Sequence, residues 1–327
     1  MLVVGARTIL PRRLLLPSHA VRTLSTATQR AQSFAMGSNG SSTARAAWLA
    51  SIDAVYTLFE HPTTCALYPA LARKVASAVG LCEQVLAEVG EAHCALSFNG
   101  GKDCTVLVHI LAAVLRRRNA EQGTRPMAAL YITCPSPFVE VDRFIKFCVD
   151  PVHGYNLQIV AVDGGMKEGI RTYLNGGGSR QEQGKRDVRA IFVGTRRDDP
   201  HGPQLEARSW TDKDWPRVER IHPILEWTYG DVWEFLRCPH LATSESELPF
   251  DRKTMEEEWG TTGAGERGVP YCVLYDQGYT SLGSTFNTRP NPQLQQGGKW
   301  MPAYMLKDAS HERAGRINTP QTPQPPQ

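Results

Sequence analysis

Ala95-Leu96-Ser97-Phe98-Asn99-Gly100-Gly101-Lys102-Asp103-Cys104 carries a short apolar run into a Gly-Gly turn and out into a strongly periodic segment. Leu107, Ile110, Leu111, Val114 and Leu115 recur at i, i+3, i+4, i+7 and i+8, so the spacing predicts a helix over 103–117 with one apolar face laid on a sheet. The turn then stands at a helix N-terminus. Unpaired backbone N–H groups and the positive end of the helix dipole favour an anion there, and paired glycines let the backbone approach it closely. A phosphate is the expected guest. Taken alone, the segment also reads as an ordinary strand-to-helix turn.

Neither G-x-x-x-x-G-K-[ST] nor G-x-G-x-x-G fits around Gly100 and Gly101, which sets aside the GTPase-type P-loop and the dinucleotide fingerprint. Ser97-x-Asn99-Gly100-Gly101-Lys102-Asp103 instead resembles the pyrophosphate loop of ATP pyrophosphatases, which cleave ATP between its α and β phosphates. Adenylyl transfer is the chemistry this resemblance implies.

Working outward, Ala46 to Phe59 and Pro69 to Val89 read as helices, the second with Leu71, Val75, Val79, Cys82 and Leu86 spaced for a buried stripe. Strands are expected at 93–98, 127–133, 157–162 and 189–194, with helices at 138–148, 166–174 and 229–236. This alternation predicts a parallel sheet with crossover helices. Ligands of such sheets sit beyond the carboxyl ends of the strands. The loops beginning at Ser97, Cys134 and Thr195 are therefore the candidates. Asn175-Gly176-Gly177-Gly178-Ser179 and the polar residues after it read as a flexible excursion. Arg116-Arg117-Arg118 closes the loop's helix and complements its dipole.

The chain has 327 residues, 36 basic and 33 acidic, for a net charge of +3. So balanced a surface gives no reason to expect nucleic-acid or membrane-surface binding. No run approaches the ~20 apolar residues of a transmembrane helix. The eight cysteines form no C-x-x-C pair, which points to reduced thiols rather than disulfides or zinc. Cys104, at the helix start, reads as a small packing residue; a lowered thiol pKa is the alternative.

The first 52 residues contain no Asp or Glu but carry Arg7, Arg12, Arg13, Arg22, Arg30 and Arg45. Residues 1–40 thus have the composition of a transit peptide, mitochondrial or for another organelle, or of a disordered leader. Initiation at Met36 would give a cytoplasmic form. Residues 317–327, rich in Pro, Gln and Thr, are expected to be a disordered tail.

Past Gly194 the chain becomes dense in Arg, Asp, Trp and Tyr. Arginine forks match phosphate bidentately and Asp can accept from ring N–H groups, which suits a planar phosphorylated ligand; taken alone, the loop at 194–200 also reads as a solvated charged turn. The blocks SFNGGKDC at 97–104, GTRRDDP at 194–200, HPILEWTYGDVWEFL at 222–236, PYCVLYDQGYTSLGS at 270–284 and ERAGR at 312–316 resemble the eukaryotic FAD synthetases, FMN adenylyltransferases of the PAPS-reductase-like group, in their single-domain fungal form. The resemblance spans about residues 90 to 316.

It implies a parallel-sheet α/β domain of the adenine nucleotide alpha hydrolase-like type over 45–316, with an irregular C-terminal flavin-side subdomain. It also implies ATP and Mg2+ as requirements, FMN as the acceptor and FAD as the product. The implied ATP-phosphate site is Ser97, Asn99, Gly100, Gly101, Lys102 and Asp103. Asn99, Lys102, Asp103 and Arg196 are the implied catalytic residues, with Asp103 the candidate metal ligand. Arg196, Asp199, Arg313 and Arg316 are implied on the flavin side, with Trp227, Tyr279, Ser281 and Arg289 as weaker carry-overs. Trp233 with Leu236 reads as core.

Chemistry supports these roles independently. The FMN phosphate is already an anionic nucleophile, so catalysis must bring anions together and stabilise departing pyrophosphate. Other readings remain open: another ATP pyrophosphatase, a sulfonucleotide reductase, or a flavin carrier without turnover that could hand FAD to apoflavoproteins. The reductase needs a C-terminal redox cysteine, and no cysteine follows Cys272.

Overall fold

Cys94–Ser97 forms β1, a four-residue apolar strand whose successive side chains point to opposite faces of a sheet. Leu96 packs into the larger of two apolar clusters and Ala95 into the smaller. The computed structural model describes residues 40–120, 126–177, 185–200, 202–242 and 268–317. Most of the predicted leader, the end of the Gly-rich excursion and the tail from 318 lie outside the described residues.

Helices α1 (Gly40–Glu60), α2 (Pro62–Leu67) and α3 (Pro69–Val89) precede β1. After it come α4 (Lys102–Arg118), β2 (Met127–Ile132), α5 (Val139–Val149), β3 (Leu157–Val162), α6 (Met166–Leu174) and β4 (Ala190–Val193). Two short strands, β5 (Arg208–Trp210) and β6 (Glu219–Ile221), and helix α7 (Tyr229–Leu236) follow. The rest is mostly 3-10 turns and loops, with a small hairpin of β7 (Gln295–Gln296) and β8 (Lys299–Trp300). This is the irregular C-terminal part.

The sheet order is β3-β2-β1-β4-β6-β5. All pairings are parallel, as in Leu96↔Ala129 and Leu96↔Phe192, except the antiparallel edge pair β5–β6. From β1 the chain steps outward through β2 and β3, then returns to place β4 on the other side of β1. The loops after β1 and β4 therefore part in opposite directions and leave a crevice at the carboxyl edge, where open α/β sheets bind ligands.

Both faces of a parallel sheet must be covered. On one, Leu96, Ala129, Phe192 and Ile221 pack with Val75 and Val79 of α3 and Val106 and Ile110 of α4. On the other, Ala95, Leu130 and Ile191 meet Ile170 and Tyr173 of α6. Helix α4 departs from the single apolar face expected of it. Thr105 through Leu111 are all buried, because α4 lies between the sheet and the helices outside it. His109, in the middle of that stretch, faces Tyr155 Oη at 3.0 Å and the Ser51 carbonyl at 3.2 Å. Burial lowers its pKa to about 4, so the ring is neutral. Since a carbonyl only accepts, Nε2–H donates to Ser51 and Nδ1 accepts from Tyr155.

Helix α1 belongs to the core. Trp48 Nε1 donates to the Gly154 carbonyl at 2.9 Å and Ser51 Oγ to that of Leu241 at 2.7 Å. Arg116, Arg117 and Arg118 do more than complement the dipole of α4: they pair with Asp53, Glu60 and Glu91.

Candidate active site

The loops after β1, β2 and β4 converge with residues 275–283 and 312–313 around a cleft of about 330 Å³. Asn99, Lys102, Asp103, Phe138, Glu312 and Arg313 are among its lining residues. Gly100 turns the first loop with φ +73°, a conformation an L side chain resists. Asn99 Oδ1 accepts from the Gly101 N–H at 2.9 Å, which folds the loop onto the helix start. The Lys102 N–H donates to Tyr275 Oη at 2.8 Å, tying the loop to the 3-10 turn Val273–Tyr275. At the end of β4, Gly194 lets two backbones meet, since a Cβ there would lie 3.0 Å from the carbonyl carbon of Asp103.

Five charges interlock behind this loop. Arg196 is fully buried and Lys102 is 2 % exposed. The guanidinium approaches Asp103 Oδ1 at 2.7 Å through Nε, Glu312 Oε2 at 2.6 Å and Asp199 Oδ1 at 3.3 Å through Nη2. Lys102 Nζ reaches Asp103 Oδ2 at 2.9 Å and Glu312 Oε1 at 2.5 Å. Burial alone would lower the pKa of both cations. The carboxylates outweigh it, so both rise above their ordinary values. Burial pushes Asp103 up, but Lys102 and Arg196 outweigh it and hold the group ionised. For Asp199 burial wins over Arg196, and its pKa is raised. Arg196 Nη1 is buried without a hydrogen bond among the described residues, whereas Asp103 Oδ1 faces Arg196 Nε in the ion pair. An unspent donor in a charged pocket marks a place for a ligand.

The cleft gathers Asn99, Gly101, Lys102, Asp103, Asp199, Ser281 and Arg313 at its surface. Arg196 stands behind them and Ser97 ends β1. Arg316 lies along Gly283, its guanidinium filling the space a side chain there would need. Tyr279 sits edge-on to Phe138, a cleft-lining residue, with ring centres 5.3 Å apart, and does not itself line the cleft. Two expected flavin contacts are elsewhere. Trp227 is 3 % exposed and packs on Phe235, because the turn before α7 points it into the core. Arg289 is exposed, and its N–H holds the Gly315 carbonyl at 3.0 Å, bracing the 313–316 segment rather than lining the cleft. Trp233 is in the core, as expected. Burial raises the Cys104 thiol to about 12, which removes the reactive reading.

Two residues were not anticipated: Tyr275, which braces the loop, and Glu312, which joins the buried cations. Both lie inside blocks quoted above, but nothing local marks a tyrosine or glutamate as reaching residue 102.

The phosphoadenosine phosphosulfate reductase domain family matches residues 93–244. The Schizosaccharomyces pombe protein named Probable FAD synthase is 36% identical over 229 residues, covering 69% of this chain and 72% of that one. The chain belongs to the FAD synthase family. A Caenorhabditis elegans member is 33% identical over 254 residues, which cover 75% of this chain but 41% of that longer protein. Among solved structures, the Candida glabrata FMN adenylyltransferase superposes with a TM-score of 0.64 at 20% identity, covering 84% of this chain and 98% of that one. The FAD synthase fold is thus shared over most of the described chain.

Proposed function

We infer that this protein transfers the adenylyl group of ATP to FMN, giving FAD and pyrophosphate. The observation that carries this reading is the convergence of three segments, Asn99–Asp103, Arg196–Asp199 and Glu312–Arg316, on one cleft backed by two buried cations. An oxygen of the FMN phosphate attacks the α-phosphorus of ATP, the bond to the bridging oxygen breaks, and pyrophosphate leaves with its electron pair. No proton need be removed from the nucleophile.

The protein's task is electrostatic and positional. In this reading the Gly100–Gly101 turn and the first turn of α4 cradle the ATP phosphates, with Lys102 and Arg196 balancing the charge that builds on the leaving group. Asn99 and Asp103 stand beside the reacting phosphate. Asp199, Ser281, Arg313 and Arg316 serve FMN, the last from beside Gly283.

Magnesium belongs to the proposal as well. Among the described residues no group of three His, Cys, Asp or Glu side chains is placed to hold a metal. Magnesium commonly rests on phosphate oxygens and water with one or two carboxylates. Asp103, a carboxylate lining the cleft, would be that single ligand, exchanging part of its pairing with Arg196 and Lys102 for the ion, which would neutralise phosphate charge there.

Pyrophosphate release by the full chain with ATP and magnesium, compared across FMN, riboflavin and no flavin, tests the reading. FMN-dependent release accompanied by FAD formation and lost in Asn99→Ala is expected. Release indifferent to FMN would return the assignment to another ATP pyrophosphatase, and flavin binding without release would make the protein a carrier. Delivery of the FAD to apoflavoproteins is part of the same proposal, tested by reconstituting an apoenzyme with and without free FAD trapped. The acid-free leader over 1–40 is proposed to direct the chain to mitochondria or another organelle, with a cytoplasmic form from Met36. Fusions of 1–40 and of Met36 onward to a fluorescent protein would separate the two.

A further inference from the structure

A pocket meant for polyanions already contains an anion. Glu312 is 13 % exposed, and its Oε1 is shared between Lys102 Nζ at 2.5 Å and Arg196 Nη2 at 2.8 Å, as one phosphate oxygen would be. Its Oε2 also accepts from Arg196 Nη2, at 2.6 Å. Lys102 and Arg196 face Asp103, Asp199 and Glu312, so the ionised cluster carries more negative than positive charge. Such a cluster receives phosphate poorly until a carboxylate withdraws.

The three acids are not equally free to do so. Asp103 is rooted in the first turn of α4. Asp199 Oδ2 accepts from the backbone N–H of Arg196 at 2.8 Å and is pinned within its own loop. Glu312 differs. Its backbone is held by Thr280 Oγ1, which donates to the Glu312 carbonyl at 2.6 Å, and by Asn291 Nδ2, which donates to that of His311 at 2.8 Å. Among the described residues its carboxylate bonds only to the two cations, so rotation about the side chain frees both while the main chain stays fixed.

We propose that the Glu312 carboxylate is a built-in occupant of the phosphate seat on Lys102 and Arg196, displaced when substrate phosphates enter and returning to speed the departure of pyrophosphate. The proposal rests on the adenylyl-transfer reading for the identity of the anion. It makes Glu312 a positioning residue that acts through the two cations.

The test is titration calorimetry of inorganic pyrophosphate into the full chain without magnesium, with Glu312→Gln beside the wild type. Removing the competing charge is expected to tighten pyrophosphate about tenfold. Product inhibition of FMN-dependent turnover should strengthen by a similar factor, which a merely structural role would not produce. Unchanged or weaker pyrophosphate binding would overturn the proposal. Thermal melting checks that the variant folds. Should it not, Glu312→Asp carries the test, since its shorter arm cannot span both cations and must also bind pyrophosphate more tightly. A wild type that binds pyrophosphate but never releases it from ATP and FMN would defeat the functional reading, while the titration would still decide the role of Glu312.

Discussion

Arg196 has no exposed surface and three carboxylates around it, and its planar fork is what reaches them together. A lysine is a point charge and cannot. Arg196→Lys should cost about 2 to 4 kcal/mol, approaching the loss from breaking a buried pair. Chemical denaturation would show it; stability within error of the wild type would mean the cluster is not a unit. Asp276 makes a second prediction. Burial raises its carboxyl to about 7, against the 3.8 of an ordinary aspartate, while Tyr271 Oη donates to it at 2.9 Å. Between those values the folded state binds more protons than the unfolded one, so this group's contribution to stability falls as pH rises from about 4 to about 7. Asp276→Asn should therefore stabilise the protein at pH 8, by at most about 4 kcal/mol, and leave it unchanged near pH 4. Equal effects at both ends would sink the assignment.

Among the elements, the junction of β4 with α4 is the tightest. Gly194→Val would place side-chain carbons against the backbone of Asp103 and Cys104, both within about 3 Å. Overpacking of this kind costs about 1 to 3 kcal/mol. By shifting the loop it should cut turnover about a hundredfold. Wild-type kinetics would show that the loop tolerates a displaced strand end. This junction also shows what the chain made readable. Helices α3, α6 and α7 span the residues their apolar spacing and turn signals predict, since each buries one stripe against a fixed surface. Strands β5 and β6 escaped notice. Three residues are too few to display a period, and Arg208 and Glu219 spend their charge on each other rather than alternating with apolar neighbours. Of the site, the loop at 99–103 was legible because its turn chemistry is local. Glu312 was not, because its partners lie 116 and 210 residues away along the chain and no local pattern encodes them. Trp227 failed differently. Aromatic residues suit a flat ligand and a core equally well, and the direction set by the turn before α7 decided between them.

For the whole molecule, the site draws on the middle of the chain and on its C-terminal segment, so ligand binding should be felt as global stability. A ligand held only by the folded state at about 100 times its Kd adds about 2.7 kcal/mol. In a protein of this size that raises Tm by about 4 to 5 °C. Scanning fluorimetry should show such a shift with FAD and a larger one with FAD and pyrophosphate together. No shift with saturating FAD would remove the cleft from consideration as the product site. The anchoring of α1 reaches further, into how the polypeptide can be matured. Trp48 and Ser51 reach across about a hundred or more residues of sequence to the Gly154 and Leu241 carbonyls. A processing protease can therefore trim the N-terminus freely only up to the start of that helix. A cut beyond Trp48 would release a chain lacking part of its own interior, so the folded domain itself sets the downstream limit of any cleavage site.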